Sequence, residues 1–202
     1  MNKLIAYAIF GTVLLTGCQS VPSEEAKAGE PENEDQAVMK EEEHTFDEYK
    51  EMFKESATEA EAFGVHDEEV EKWITRIIYQ SKRNGNDNIK EEMVLEQAKE
   101  SHQEQKDWKR HAKKAYEVKV TAEEVDRYIE EGPDQMEVME QQAVAEALGM
   151  TPKEFNHSFD RDHYELAVLF EKLIPKLREK YDEGSPGNLI ERFKEEASKH
   201  SE

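Results

Sequence analysis

Residues 45–63 read TFDEYKEMFKESATEAEAF, and this stretch shows the kind of pattern found along most of the chain. Thr45 with Glu48 is a capping box, in which a hydroxyl and a carboxylate satisfy the free amides at the start of a helix. Apolar residues then recur at helical spacing before Gly64, a residue typical of helix ends: Phe46, Tyr49, Phe53, Ala57, Ala60 and Phe63. The stretch therefore predicts an amphipathic helix.

The next two helices are predicted from similar signals. Asp67 is a candidate cap for a second helix, and Asn88 with Glu91 is a candidate start for a long third helix that ends near Tyr116. Residues 99–107 of this third helix are almost wholly polar. Such a stretch either bridges solvent or frays.

Further helices are predicted in the second half of the chain. Thr121 and Thr151 each open a capping box, and Pro152 suits the first position of a helix. A strongly apolar segment covers residues 164–181, where Pro175 is expected to kink or break the helix.

Strand-like alternation is confined to residues 116–120. We therefore predict an all-α, irregular multi-helix domain over residues 45–182. Residues 183–202 are predicted to form a short C-terminal helical tail.

Composition and charge narrow the classes of function. The 202 residues include 27 Lys and Arg against 48 Asp and Glu, a net charge of −21. This acidity argues against binding nucleic acid and against docking on anionic lipid, since both need clustered basic side chains. A single Cys excludes an internal disulfide framework and a multi-Cys metal site. We expect no cofactor, no bound metal and no small-molecule substrate.

The N-terminus has the pattern of a secretory signal. Lys3 precedes the largely apolar run 4–15, which is too short to favour a stable membrane span. The run ends in Leu15-Thr16-Gly17-Cys18, which resembles the lipobox of bacterial lipoproteins, cleaved before the Cys and lipidated on it. The resemblance implies a signal peptide over 1–17 and a lipid anchor on Cys18 at the extracytoplasmic face of the cell membrane. The alternative is an ordinary signal peptide with a chance Cys.

Residues 18–44 form an acidic segment between this signal and the helical part. From 19 to 44 there are nine acidic residues, two basic residues and no aromatic residue. Such a segment cannot bury enough apolar surface to offset its ordering entropy. We predict a disordered tether that lifts the domain off the membrane, with a partner-binding role for the acidic run as the alternative.

Three groups of residues are candidates for chemistry or binding. A possible metal site combines imidazoles and carboxylates: His157, Asp160, Asp162 and His163. The alternative is a polar helix junction in which Asp162 caps the last strong helix. A basic cluster is either a solvated face or a docking patch for an acidic partner: Lys109, Arg110, Lys113 and Lys114. Large apolar residues are either core or an adaptable binding surface: Trp73, Trp108, Met136 and Met139.

Two stretches resemble a known family. They are VKVTAEEVDRYI at 118–129 and AEALGMTPKEF at 145–155. The first is similar to the stretch that ends the long helix and opens the next in SurA-like N-terminal domains, and the second is similar to a turn of that family. These domains are the chaperone part of extracytoplasmic foldases, including PrsA-type lipoproteins. The resemblance implies a SurA-N-like module that binds unfolded or exported proteins.

The resemblance does not extend to catalysis. Foldases of this family often carry a parvulin-type prolyl isomerase domain, whereas only 25 residues follow Leu177. We therefore predict a holdase that is not an enzyme, with an acidic surface suited to basic clients. Its predicted client-binding residues are Trp73, Trp108, Met136, Met139 and Phe155. The alternative is a structural or regulatory envelope or spore lipoprotein that binds one protein partner.

Overall fold

The computed structural model describes residues 44–86, 88–182 and 184–199, and these form eight α-helices with no strand among them. The all-α prediction is thereby confirmed. A 3-10 turn, Pro133–Gln135, lies between the fourth and the fifth of these helices. The helices are α1 (Phe46–Ala62), α2 (Glu68–Arg83), α3 (Glu91–Tyr116), α4 (Ala122–Glu131), α5 (Met139–Ala147), α6 (Pro152–His157), α7 (Arg161–Tyr181) and α8 (Pro186–Lys199).

The predicted caps at four helix starts are confirmed. Thr45, Thr121 and Thr151 each accept a hydrogen bond from the amide three residues later, and the glutamate there accepts one in return. Asp67 Oδ1 accepts from the amides of Glu69 and Val70, at 3.0 and 3.3 Å. Each cap supplies acceptors for amides that a helix start leaves unpaired, and thereby fixes where the helix begins.

One local prediction is wrong: Asn88 does not cap α3, which begins at Glu91 after Lys90. The strand-like alternation at 116–120 forms no strand, in keeping with the all-α prediction, and Glu117 ends α3 in a left-handed conformation with φ of 59°. Of the two outcomes expected at Pro175, a kink or a break, the break does not occur, because α7 continues through this residue. The exposed Pro175 lies between the fully buried Leu173 and Leu177, whose burial offsets the one lost backbone hydrogen bond.

One half of the described region, here called the α1 half, packs around α1 and α2. In this half α1 packs against α2 and α5, and α2 packs against the N-terminal part of α3. The fully buried Ile74 and Ala98 join α2 to α3, while Phe53 packs among residues of α5 and α6. These contacts use the apolar stripes that the sequence predicts.

The other half, here called the α7 half, packs around α7. Helix α8 and the C-terminal part of α3 both pack against it, and α4 lies on it as well. Leu173 of α7 and Leu189 and Phe193 of α8 are fully buried in one apolar cluster. The helix within the predicted tail therefore supplies core residues, although the predicted division at residue 183 itself stays a prediction.

Helix α3 runs through both halves. Its N-terminal part packs with α2 through Val94 and Ala98, and its C-terminal part packs with α7 and α8 through Ala112. The polar stretch 99–107 lies between these two contacts and is helical throughout. It therefore forms one wall of the space between the halves.

Candidate functional site

An open groove lies between the two halves, with a volume of about 450 Å³. This volume falls in the range of ligand-binding clefts. Another cavity, against α1 and α2, holds about 160 Å³. The larger groove is lined by Glu69, Lys72, His102, Gln105, Lys106, Lys109, Val120, Thr121, Ala122, Val125, Ser158, Arg161, Asp162 and Glu165.

Helix α3 gives the groove a continuous polar wall. Its four lining residues are spaced i, i+3, i+4 and i+7, which places them on one face of the helix: His102, Gln105, Lys106 and Lys109. Val120, Ala122 and Val125 contribute apolar surface from the start of α4. The groove thus combines hydrogen-bond donors with apolar contact.

Gln105 is the unusual residue of this wall. It is only 5 % exposed, yet its Nε2 has no hydrogen-bond partner among the described residues. Leaving a buried amide unpaired costs about 1–3 kcal/mol. Gln105 lines the groove, so rotation of its amide would offer this unpaired donor to a polar ligand.

The charges in the groove are unevenly paired. Lys72 lies 3.1 Å from Glu69 and 3.6 Å from Asp162, and Lys109 Nζ donates to Glu165 at 2.5 Å. Lys106 forms no ion pair with any described residue. The fourth lining cation, Arg161, pairs with Asp126, so Lys106 is the lining cation that has no ion pair among the described residues.

Arg76 closes the seam between the halves next to the groove. Its guanidinium donates to both oxygens of Asp162 at 2.7 Å and to the Phe159 carbonyl at 2.7 Å. It also lies over the rings of Trp73 and Phe159, 5.3 and 5.0 Å from their centroids. This group, Arg76 with Asp162, Trp73 and Phe159, is called the Arg76 cluster below.

The Arg76 cluster controls the ionisation of its carboxylate. Burial alone would raise the pKa of Asp162, but the hydrogen bonds and charge of Arg76 hold that pKa far below its usual range. Asp162 and the guanidinium are thus both charged at neutral pH. The ion pair joins α2 to the start of α7 across 86 residues of sequence.

The residues considered as a metal site are engaged with other partners, although His163 Nδ1 lies 3.6 Å from Asp160 Oδ1. Asp162 and Asp160 both contact Arg76, while His157 Nε2 lies 3.1 Å from Asp134. His163 packs edge-on against Trp73. Among the residues that the structure describes, no group of three His, Cys, Asp or Glu side chains could hold a metal ion. The capping role expected for Asp162 is wrong, because its carboxylate is bound by Arg76 and α7 begins after Asp160.

The two predicted tryptophans lie in different clusters. Trp73 is half-buried beside the core of the α1 half, and its Nε1 has no partner among the described residues. Trp108 is half-buried on the α7 half, where the Lys194 ammonium lies 4.4 Å from its ring centroid. Neither tryptophan lines the groove.

The other three predicted client-binding residues differ in exposure. Met136 and Met139 are 47 and 48 % exposed, and only Met139 lies in a helix, α5. Phe155 is 4 % exposed and stacks on Phe159 within the core. Of the five predicted client-binding residues, only the two methionines expose a large apolar surface. The other three lie in three different apolar clusters, so the structure does not bring the five together.

The basic cluster on α3 is partly neutralised. Lys109 pairs with Glu165, and Arg110 pairs with Asp107 at 2.6 Å. Lys113 and Lys114 are exposed on the last turn. Of the four residues, only Lys109 lines the groove.

Sequence reasoning missed the roles of Gln105, Lys106 and Arg76. The polar stretch 99–107 was a usable signal for the first two, because an interrupted apolar stripe in a long helix marks a face that meets no core. Arg76 carried no such signal, since its partners lie more than 80 residues away.

Comparison with known proteins gives no relative: no protein family, curated protein or solved structure matches the chain. The resemblance to SurA-like domains stays a prediction. The predicted signal peptide, Cys18 and nearly all of the acidic segment, residues 1–43, lie outside the described residues. Within the described ranges, no helix is both long and apolar enough to cross a membrane.

Proposed function

We propose that this protein is a lipid-anchored holdase on the extracytoplasmic face of the cell membrane, which binds extended segments of unfolded exported proteins. The observation that carries the proposal is the open groove between the halves. The groove combines apolar contact from α4 with a wall of polar side chains on α3. An unfolded segment exposes both apolar side chains and unpaired backbone groups, and it needs partners for both.

The dimensions of the groove suit an extended chain. Residues 102 to 109 of α3 rise about 10 Å along the helix axis. That length corresponds to about three residues of extended polypeptide. After rotation of its buried amide, the unpaired Gln105 Nε2 can donate to a backbone carbonyl of such a segment.

Exposed methionines offer a second contact for a client. Met136 and Met139 lie on either side of the turn into α5 and are about half exposed. Flexible thioether side chains adapt to varied apolar partners, which suits a protein that binds many sequences.

Holdase activity is tested with the chain from residue 19 and several chemically unfolded client proteins. Aggregation should slow at near-stoichiometric ratios without ATP, as measured by light scattering. Replacing Met136 and Met139 with Ser should weaken this effect while leaving helicity unchanged. Met93→Ser is the matched control, because Met93 is 57 % exposed and lies outside the proposed surface.

If the protein protects none of the clients tested, the holdase proposal is contradicted. Crosslinking in cells would then test the alternative, because a structural or regulatory lipoprotein would yield one dominant partner. Purified protein should also show no catalysis of cis–trans exchange in a proline test peptide. Catalysis abolished by a point substitution in this chain would overturn the non-enzymatic assignment.

The anchor is tested separately at Cys18. In the proposal, Cys18 is the only acyl acceptor, so Cys18→Ala should abolish incorporation of labelled palmitate and release or misprocess the protein. Palmitate that still enters the variant would contradict lipidation at this residue. Holding by the soluble chain does not depend on this outcome.

A further inference from the structure

We propose that the groove binds a carboxylate side chain presented by an extended peptide, with Lys106 and Gln105 as its donors. This inference rests on the proposed function and specifies which client segments enter the groove. It reverses the preference for basic clients that the overall charge predicts.

The first argument is the chemistry of the α3 wall. Lys106 is exposed without an ion pair among the described residues, and the adjacent Gln105 has a buried amide nitrogen without a partner. An ammonium and an amide N–H are both donors, and a carboxylate oxygen accepts from both. His102 is one turn before them on the same face and adds a ring nitrogen.

The second argument is that the acids of the groove are already occupied. Glu69 lies 3.1 Å from Lys72, Glu165 accepts from Lys109, and both oxygens of Asp162 accept from Arg76. A basic peptide side chain would have to compete with these pairs. A carboxylate would meet the Lys106 ammonium, which has no ion pair among the described residues.

The third argument concerns distance. Residues 45–202 contain 39 acidic and 24 basic residues, a net charge of −15. Charges in solution are screened beyond about 8 Å at physiological ionic strength. Groups inside the groove therefore outweigh the distant acidic surface for a peptide that lies within it.

The test uses the full chain in detergent micelles and two labelled peptides of about a dozen neutral residues, acetylated and amidated. One carries a central Glu, and its twin carries Gln there. Fluorescence anisotropy should show the Glu peptide binding about five- to tenfold more tightly at physiological ionic strength, where the distant acidic surface is screened. The preference should shrink as salt is raised.

Variants assign the preference to the groove. Lys106→Gln and Gln105→Leu should each reduce the Glu preference to less than about twofold, with helicity unchanged by circular dichroism. Lys176→Gln removes one charge from an exposed site outside the groove and should keep the full preference. Equal binding of the two peptides, or a preference that survives Lys106→Gln, would overturn the inference.

A competition arm identifies the source of the carboxylate. Free glutarate should displace the Glu peptide only at concentrations far above the peptide's dissociation constant. Displacement at equal concentrations would show a small-molecule site and refute the peptide assignment. Client protection without a Glu preference would support the holdase proposal and contradict this inference. A Glu preference without client protection would contradict the holdase proposal and leave carboxylate binding in the groove supported.

Discussion

The interiors of the two halves and the seam between them are built in opposite ways. Inside the α7 half, Leu173, Leu189 and Phe193 are fully buried in an apolar cluster. In the seam, by contrast, the halves meet through the charged Arg76 cluster and an open polar groove. Apolar packing stabilises each half, while polar groups determine how the halves are joined and leave room for a ligand.

The seam itself divides into a closed and an open part. Around Arg76, both carboxylate oxygens of Asp162 are bonded and the rings of Trp73 and Phe159 exclude solvent. Asp162 also lines the groove, together with Glu165 one turn further along α7. In the groove wall, Gln105 Nε2 has no hydrogen-bond partner among the described residues. The closed part is held by an ion pair, although its buried Arg76 Nε and Trp73 Nε1 also lack partners among the described residues. The open part carries a similar cost at Gln105, which lies in the groove wall, where a bound ligand would offset it.

The largest expected effect comes from breaking the interior of the α7 half. Phe193→Ala should lower the free energy of unfolding by about 3–5 kcal/mol, since it removes a fully buried ring of α8. Urea denaturation followed by circular dichroism measures the loss. Glu195→Ala, at an exposed position of the same helix, should change stability by less than about 0.5 kcal/mol. A small effect of Phe193→Ala would mean that α8 is a dispensable tail.

Breaking the closed part of the seam should cost about 3 kcal/mol. Arg76→Met keeps much of the side-chain volume but removes both hydrogen bonds to the Asp162 carboxylate, which is then left with Lys72 at 3.6 Å as its only cationic partner among the described residues. Adding Asp162→Leu removes that charge, so the double variant should recover most of the lost stability. If the double variant is as unstable as Arg76→Met alone, the ion pair is not the reason for the loss.

The same cluster predicts a dependence on acid. The pKa of Asp162 is lowered in the folded state, so its contribution is complete above the usual aspartate pKa of about 4 and is lost as pH falls toward the folded pKa. The free energy of unfolding of the wild type should therefore fall below pH 4 more steeply than that of the Arg76→Met/Asp162→Leu variant. Other carboxylates with lowered pKa are present in both proteins and cancel in the difference. Parallel pH profiles would contradict the assignment.

The contrast between interior and seam also explains what could be predicted from the sequence. Capping boxes and apolar stripes act within a few residues, so the helix starts at Thr45, Asp67, Thr121 and Thr151 were predicted correctly. Predictions failed where tertiary contacts decided the outcome: Asp162 binds Arg76 instead of capping α7. Of the groove, only the polar interruption in α3 was visible beforehand. Which residues face it depends on packing between distant parts of the chain.

The smallest expected effect on stability comes from the open part of the seam. Gln105→Leu removes a buried amide that lacks a partner, so the free energy of unfolding should rise by about 1 kcal/mol. Gln141→Leu is the matched control, because the Gln141 amide donates to Asn156 at 2.5 Å and to Tyr164 at 3.3 Å. Its loss should instead lower stability by about 1–2 kcal/mol, since it removes two hydrogen bonds, although Asn156 Oδ1 still accepts from the Tyr164 hydroxyl at 3.0 Å. Opposite signs in paired urea titrations would show that Gln105 is held in the groove at a cost to the fold, whereas a destabilising Gln105→Leu would mean that its amide already has a partner and is not kept for a ligand.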